Sequence, residues 1–353
     1  MKVLITGILG QDGANMVEYL LSNTQAQIFG MTRRTSNPNF INCKNFINNK
    51  RFEFVYGDLS DGVSIDNLVK NIQPDYFINF AAQSFVGCSW DISLQTLDIN
   101  ANGVARCLEA IRRFQPQCKF YSAGSSEEFG DVSYAPQDIK HPIKPRSPYG
   151  ASKAAARHLV KVYRESYNLY AVHGILFNHE GTKRGEEFVT RKISKGVARI
   201  YHSILNKKPF FPIELGNLDV KRDWSDSEDF MDGVWKMLNQ NQPKDYILSS
   251  NETHSIKEFV EKAFDAANIE GNWYGSGKDI KYYVPDYLIE TSNISSVELV
   301  KINSKYYRPA EVDLLLGDST PARQELGWKP KISFDKLVEK MVKHDIENFN
   351  YLK

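Results

Sequence analysis

Tyr149 and Lys153 form the residue pair in this sequence that is best suited to acid/base chemistry. They stand four positions apart, so a helix would place both side chains on one face. An ammonium group beside a phenol favours the phenolate, and a tyrosine whose pKa falls from about 10 towards neutrality can act as a general base for a hydroxyl. The spacing therefore indicates removal of a proton from an alcohol.

A second set of reactive side chains, Ser125, Ser126 and Glu127, follows the apolar run 119–123. That run predicts a buried strand, and α/β proteins hold their ligands at the carboxyl ends of such strands. Glu128 adds a carboxylate, which we interpret as a surface charge rather than a second site residue, because neighbouring side chains point apart. Hydroxyl, carboxylate, phenol and ammonium groups together indicate oxidation of an alcohol with further acid/base chemistry beside it.

The amino-terminal segment has the strand, glycine turn and helix of a dinucleotide site. An apolar run at 2–6 leads to Gly7, Gly10 and Gly13, and an amphipathic stretch follows them. Glycines in this arrangement let the backbone approach a pyrophosphate held at the amino end of a helix. A plain tight turn also explains glycines, but the flanking strand and helix favour nucleotide binding.

The next predicted strand, 27–31, ends in Arg33, Arg34 and Ser36 instead of the acidic residue that binds a ribose 2′-hydroxyl. Guanidinium groups form planar, charge-assisted hydrogen bonds with phosphate oxygens. The segment therefore favours NADP over NAD, with a solvated basic loop as the alternative.

Alternating strands and helices up to residue 180 predict a doubly wound parallel sheet of the Rossmann type, in the α/β class. Asp58 follows the third strand and is predicted either to meet the adenine or to cap a helix. Ala82 and Ser84 follow the fourth strand and are small enough for a nicotinamide ribose to lie close.

Beyond residue 180 we expect a polar loop that carries Arg184, Arg191 and Lys192, followed by a smaller mixed α/β lobe. Pro, Gly and Tyr accumulate at 271–309, which is typical of a loop-rich lobe that closes over a substrate. We predict an NADP-binding domain of residues 1–180, to which 217–250 return, and a substrate-binding lobe of residues 181–216 and 251–353.

The composition excludes several classes of protein. The 353 residues include 44 basic and 43 acidic side chains, so no net field attracts nucleic acid or an anionic membrane. We find no signal peptide and no membrane span, and we expect a soluble, cytoplasmic protein. Four cysteines without ligand spacing and scattered histidines predict free thiols and no metal site.

Longer motifs resemble the GDP-mannose 4,6-dehydratase family, within the extended short-chain dehydrogenases. They read GILFNHE at 174–180, RG at 184–185, FVTRKI at 188–193, LGNLD at 215–219, KRDW at 221–224 and RPAEVDLLLGD at 308–318. The resemblance runs almost from end to end of the chain. It implies a lyase that acts on GDP-mannose, with homodimers or homotetramers whose interface includes the loop of Arg33 and Arg34.

The resemblance also completes the predicted site. It implies that Lys153, His179 and Arg184 contact the cofactor, so that the cofactor site comprises Gly7, Gly10, Gln11, Asp12, Gly13, Arg33, Arg34, Ser36, Asp58, Leu59, Ala82, Ser84, Lys153, His179 and Arg184. The substrate site comprises Ser84, Ser126, Asn178, Val189, Lys192, Arg222, Arg308 and Glu311.

The reaction implied by the resemblance starts when Tyr149 takes the proton of the hydroxyl on sugar carbon 4, while that carbon gives hydride to NADP. Ser125 binds the carbon 4 oxygen, and Glu127 removes the proton on carbon 5, so that the hydroxyl on carbon 6 leaves as water. Hydride then returns to carbon 6, which gives GDP-4-keto-6-deoxymannose. Ser125, Glu127, Tyr149 and Lys153 are the predicted catalytic residues.

Some positions depart from the family pattern. The family usually has Thr at Ser125, Ser at Gly124, Leu at Glu128 and Tyr at Gln95. A dehydratase of a GDP-linked heptose is therefore an alternative, as is a nucleotide-sugar reductase or epimerase, which needs no base at Glu127. A catalytically idle NADP-binding regulator is a further alternative, since one fold can host unrelated functions.

Overall fold

The structure, a computed structural model, describes residues 1–284, 298–307, 312 and 314–349. Its strands are β1 (Lys2–Thr6), β2 (Gln27–Thr32), β3 (Phe52–Tyr56), β4 (Tyr76–Asn79), β5 (Lys119–Ala123), β6 (Ala171–Leu176), β7 (Asn178–Glu180), β8 (Ile213–Leu215), β9 (Lys221–Arg222), β10 (Trp224–Asp226), β11 (Tyr246–Leu248), β12 (His254–Ser255), β13 (Asn272–Tyr274), β14 (Lys281–Tyr283) and β15 (Glu298–Ile302). Its α-helices are α1 (Gln11–Asn23), α2 (Gly62–Ile72), α3 (Ser93–Leu97), α4 (Gly103–Phe114), α5 (Pro148–Tyr167), α6 (Val189–Leu205), α7 (Ser227–Leu238), α8 (Ile256–Ala266), α9 (Thr320–Glu325) and α10 (Phe334–Glu347).

A seven-stranded parallel sheet forms the centre of the molecule, in the order β11-β6-β5-β4-β1-β2-β3. Parallel strands are covered by helices on both faces, so their residues read as continuous apolar runs. Val3, Leu4 and Ile5 of β1 are accordingly all fully buried. This topology confirms the predicted doubly wound parallel sheet.

A smaller mixed sheet, in the order β13-β14-β15-β8, packs with α6, α8 and α10 around a second hydrophobic cluster. Trp328, which follows α9, packs instead into the first cluster, with its ring 5.5 Å from that of Phe230 on α7. The division of the chain into two lobes stays a prediction. No helix among the described residues combines the length and the apolar character needed to cross a bilayer.

The prediction that Arg191 and Lys192 lie in a loop beyond residue 180 is wrong, because both residues belong to the 17-residue helix α6. Ile193, Val197 and Ile200 of this helix are fully buried. Their spacing is the helical i, i+4, i+7 pattern, and it brings one face onto the second hydrophobic cluster. The basic residues at the start of the helix obscured this periodicity.

Candidate active site

The glycine turn between β1 and α1 is shaped for close approach of a ligand. Gly7 has a φ of +71°, a conformation that side chains disfavour, and its carbonyl accepts from the Gly10 amide at 3.0 Å. A Cβ on Gly13 would lie 2.4 Å from that carbonyl oxygen. Gly10 is the N-cap of α1 and offers no capping side chain. The amino end of the helix can therefore bind phosphate oxygens through backbone N–H groups.

A cleft of about 2030 Å³ opens beside this turn. Most of the predicted cofactor residues line it, namely Gly7, Gly10, Gln11, Asp12, Gly13, Arg33, Asp58, Leu59, Ala82, Ser84 and Arg184. Arg34, Ser36, Lys153 and His179 are not part of its lining. Asp58 does not cap a helix: its carboxylate accepts from the Ser60 amide at 2.9 Å, and Asp61 caps α2.

The predicted cofactor residues Asp12 and His179 form an ion pair, with His179 Nε2 3.0 Å from Asp12 Oδ2. Burial raises the pKa of Asp12, but the charge and hydrogen bond of His179 outweigh it, so this pKa lies below its ordinary value. Burial lowers the pKa of His179, but the carboxylate of Asp12 more than reverses that effect. Gln11 Nε2 also donates to the His179 carbonyl at 3.0 Å. These contacts join the glycine turn to β7.

Tyr149 and Lys153 lie on the first turns of α5, where Ser147 is the N-cap and accepts from the Gly150 amide at 3.0 Å. Lys153 Nζ donates to the Ala123 carbonyl at 2.7 Å and lies 5.8 Å from the centre of the Tyr149 ring. The predicted fall in the Tyr149 pKa is wrong for this structure. Burial raises the pKa to about 12, although a hydrogen bond with Ser125 and the charge of Arg184 act in the opposite direction.

The residues that follow β5 form a short 3₁₀ turn with a capping box. Ser125 Oγ accepts from the Glu127 amide at 3.3 Å, and the Glu128 carboxylate accepts from the Ser125 amide at 2.8 Å. Glu127 packs against the first turn of α5, since a Cβ on Gly150 would lie 2.5 Å from the Glu127 carbonyl oxygen, and its negative charge raises the pKa of Tyr149. The structure therefore brings Ser125, Glu127 and Tyr149 together.

Glu128 is not the expected surface charge. Its side chain is fully buried, and its Oε1 lies 2.9 Å from Nε2 of His173, which is also fully buried. Burial raises the pKa of Glu128, but His173 and the Ser125 amide lower it below the ordinary value. The prediction failed because the partner lies on β6, in a strand that the local sequence does not specify.

The four predicted catalytic residues stand next to the cleft rather than in its lining. Arg184 connects the two regions, because it lines the cleft and its charge lowers the pKa of Tyr149. Its guanidinium lies 3.5 Å from the centre of the Phe188 ring, and its Nε lies 3.0 Å from Glu180 Oε2. Sequence reasoning did not identify Phe188, which holds Arg184 in this position.

Two of the predicted substrate residues, Ser84 and Lys192, line the cleft. Lys192 lines it, with Nζ 3.3 Å from the centre of the Tyr306 ring, a contact that no sequence motif indicates. Asn178 is half-buried, and its Oδ1 has no hydrogen-bond partner among the described residues. The remaining predicted residues are Ser84, exposed in the lining, Ser126 and Arg222, both buried, Val189, half-buried, and Arg308 and Glu311, which lie outside the described residues.

Comparison with known proteins agrees with these motifs. The model of the GDP-mannose 4,6 dehydratase family matches residues 4–341. The chain is 42% identical to GDP-mannose 4,6 dehydratase of Drosophila melanogaster, over 98% of this chain and 86% of that protein. It is 40% identical to the Homo sapiens enzyme of the same name, over 98% and 91%.

Solved structures share the fold at lower sequence identity. The UDP-glucose 4-epimerase of Thermus thermophilus, solved with NAD, superposes with a TM-score of 0.78 at 21% identity, over 98% of this chain and 99% of that one. With the family model covering nearly the whole chain and relatives at 40% and 42% identity, this protein belongs to the GDP-mannose 4,6-dehydratase family.

Proposed function

We propose that the protein converts GDP-mannose to GDP-4-keto-6-deoxymannose with NADP as its cofactor. The observation that carries the proposal is the convergence of Ser125, Glu127 and Tyr149 after β5, beside the glycine turn and its cleft. A dehydration needs two bases, one for a hydroxyl proton and one for a carbon-bound proton. A simple reductase has no use for the second.

The residues of the cleft fit a nicotinamide dinucleotide. The backbone at Gly7 and Gly13 leaves no room for a Cβ, and the N-cap of α1 has no side chain to occupy the place of a phosphate. Gln11 adds a buried Oε1 without a hydrogen-bond partner among the described residues. A bound dinucleotide would supply a hydride acceptor for carbon 4 and a hydride donor for carbon 6, so the reaction would involve no net oxidation.

The side chains of this protein perform the proton transfers. Tyr149 takes the proton of the carbon 4 hydroxyl, and the Ser125 hydrogen bond and the Arg184 charge, both of which lower the Tyr149 pKa, stabilise the phenolate that forms. Glu127 takes the proton on carbon 5, which the neighbouring ketone acidifies. The hydroxyl on carbon 6 then leaves as water with the proton that Glu127 has taken, and the proton held by Tyr149 passes to carbon 5 when hydride returns to carbon 6. Asn178, Lys192 and Arg222 bind the GDP moiety.

The choice of NADP rests on the loop after β2. Arg33 lines the cleft beyond the carboxyl end of β2, where a ribose 2′-phosphate would lie, and Arg34 is exposed beside it. We propose that these guanidinium groups bind that phosphate. We also propose a homodimer or homotetramer, following the family resemblance. Light scattering of the purified protein would measure its mass.

The heptose alternative rests on fewer positions than the sequence suggests. A Cβ on Gly124 would meet His173 and Glu128, so both Gly124 and Glu128 lie against a buried histidine behind the site. Gln95 lines the cleft, and Ser125, which also departs from the family, keeps the hydroxyl group of the usual Thr. We therefore retain GDP-mannose as the proposed substrate.

The proposal is tested by incubating the purified protein with GDP-mannose, with and without NADP, and measuring the mass of the nucleotide sugar by mass spectrometry. We expect loss of one water without accumulation of NADPH, and no conversion by Tyr149→Phe. Gain or loss of two hydrogens in step with the cofactor would instead establish a reductase or dehydrogenase. An unchanged GDP-mannose would refute the hexose substrate, and the GDP-heptose would then be assayed.

A further inference from the structure

We propose that Glu128 and His173 form a positioning pair that holds the turn carrying Ser125 and Glu127 against Tyr149. The inference rests on the proposed dehydratase reaction and concerns residues that do not themselves touch the sugar. Both side chains are fully buried, which is rare for a carboxylate and requires a compensating partner. Their presence beside the reacting groups therefore calls for a physical reason.

Glu128 makes two contacts through one oxygen. Oε1 accepts from the backbone amide of Ser125 at 2.8 Å and lies 2.9 Å from His173 Nε2. Because Ser125 Oγ in turn accepts from the Glu127 amide, the capping box closes the turn from both sides. The carboxylate thus ties the Ser125 backbone to β6, and this tie fixes the direction in which the Ser125 hydroxyl and the Glu127 side chain project.

His173 is held from the opposite side. Its backbone amide donates to Asp245 Oδ1 at 2.8 Å, and Asp245 also forms an ion pair with Arg164 of α5 at 2.6 Å. His173 follows Val172 in the interior of β6, between β5 and β11, so its backbone cannot move without displacing the sheet. The pair therefore connects the three-residue turn to a strand of the central parallel sheet.

The environment of Gly124 independently supports the pairing of Glu128 with His173. A Cβ at this position would lie 2.2 Å from His173 Nε2 and 2.7 Å from Glu128 Oε1. Since φ is not positive at Gly124, the backbone conformation alone does not require glycine. The side chain is missing because the ion pair occupies its space.

Other charges face the pair from the surrounding elements. Arg157, one helical turn after Lys153 on α5, lowers the pKa of Glu128, and its Nη1 has no hydrogen-bond partner among the described residues. Glu128 in turn raises the pKa of Lys153 and of Tyr149. The other titratable or charged groups that interact electrostatically with these residues are Asp12, Tyr121, Glu127, Arg184 and Asp245. The carboxylate of Glu128 therefore acts on the catalytic groups by charge as well as by position.

The test compares the wild-type enzyme with Glu128→Gln, His173→Gln and the double variant, all loaded with NADP. We expect each single change to lower kcat about 10- to 100-fold while KM stays within about threefold, because a small misplacement of a catalytic group has effects of this size. The double variant should cost no more than the worse single one, since the residues act as a unit. In Glu128→Gln the acid limb of the pH profile should also move to lower pH, because the charge that raises the Tyr149 pKa is gone.

The control is Asp229→Asn, which changes another buried carboxylate. Asp229 on α7 accepts from the amides of Lys331 and Ile332 at 2.7 and 3.0 Å and touches no part of the catalytic turn. This variant should have a lower melting temperature than the wild type, but its kcat and the acid limb of its pH profile should be unchanged. Glu128→Asp keeps the charge and withdraws the carboxylate by one methylene, so it should lower kcat without moving the limb.

Three results would overturn the inference. One is a Glu128→Gln enzyme with wild-type kcat and an unshifted limb. Another is strict additivity in the double variant, which would show that the residues act separately. If Glu128→Gln does not fold, a Glu128→Asp enzyme with the wild-type kcat would show that Glu128 does not position the catalytic turn. A wild-type protein that leaves GDP-mannose unchanged would overturn the proposed function itself, and with it this inference.

Discussion

Replacement of Gly13 by alanine tests the cofactor site through backbone geometry alone. The added Cβ would lie 2.4 Å from the Gly7 oxygen and 2.8 Å from both the Gly7 carbonyl carbon and Ile8 Cα. Ordinary contacts begin at 3.4 Å, so backbone atoms must separate by about 1 Å. Overpacking of this kind destabilises a protein by about 1–3 kcal/mol.

The same displacement should weaken cofactor binding. Loss of one backbone hydrogen bond to a charged phosphate costs about 1.5–3 kcal/mol, which corresponds to roughly 10- to 150-fold in Kd. Calorimetric titration with NADP measures this change, and thermal melting followed by circular dichroism measures the destabilisation. The matched control is Gly62→Ala on α2, where the added Cβ has its nearest neighbour at 3.9 Å, in the flexible side chain of Arg106.

We expect Gly62→Ala to keep the wild-type Kd and a melting temperature at or slightly above that of the wild type, because alanine is the better helix former. A Gly13→Ala protein with Kd within twofold of wild type would refute the assignment of this turn to the cofactor. A lower melting temperature with unchanged Kd would show that the crowding is real but that the pyrophosphate binds elsewhere.

Three further changes probe the remaining parts of the site. Glu127→Gln should stop water loss while reduction of bound NADP remains visible by its absorbance; continued dehydration would remove Glu127 from the mechanism. Arg33→Ala should weaken NADP by about tenfold and leave NAD unaffected in competition titrations; equal losses for both would point to a general electrostatic role. Burial raises the pKa of Tyr149 to about 12 and lowers the pKa of Lys153 to about 8. The fraction of the enzyme with a Tyr149 phenolate beside a charged Lys153 therefore increases with pH until Lys153 loses its proton. We therefore expect kcat/KM to rise up to about pH 8 and then level off, and a profile that falls from pH 6 would contradict this assignment.

The parts of the fold that sequence could predict are those with strong local periodicity. The strands predicted at 2–6 and 119–123 agree residue for residue with β1 and β5, since continuous apolar runs carry their own signal. Strands β8, β13 and β14 have three residues each, too few for any period to show. They form only because neighbouring strands pair with them, which is information outside the segment.

The candidate site divides in the same way. Two features of the site are local motifs: the glycine turn of Gly7 and Gly13, and the spacing of Tyr149 and Lys153. Both are present in the structure, at the start of α1 and on the first turns of α5. The pKa of Tyr149 is not local, because it depends on how deeply the rest of the chain buries the phenol. Proximity to one lysine predicted a lower value, but burial is the larger effect in this structure.

Glu128 shows that a departure from a family pattern can be interpreted only together with the residues that it contacts. Its charge is tolerated in the interior only because His173, 45 positions later, supplies the partner and Gly124 leaves the space. Introduced into a chain that lacks both, the same glutamate would be an uncompensated buried charge, which costs about 3–5 kcal/mol. Gly124, Glu128 and His173 therefore form one packing arrangement behind the site, which ties the altered turn to that packing rather than to the shape of the sugar pocket.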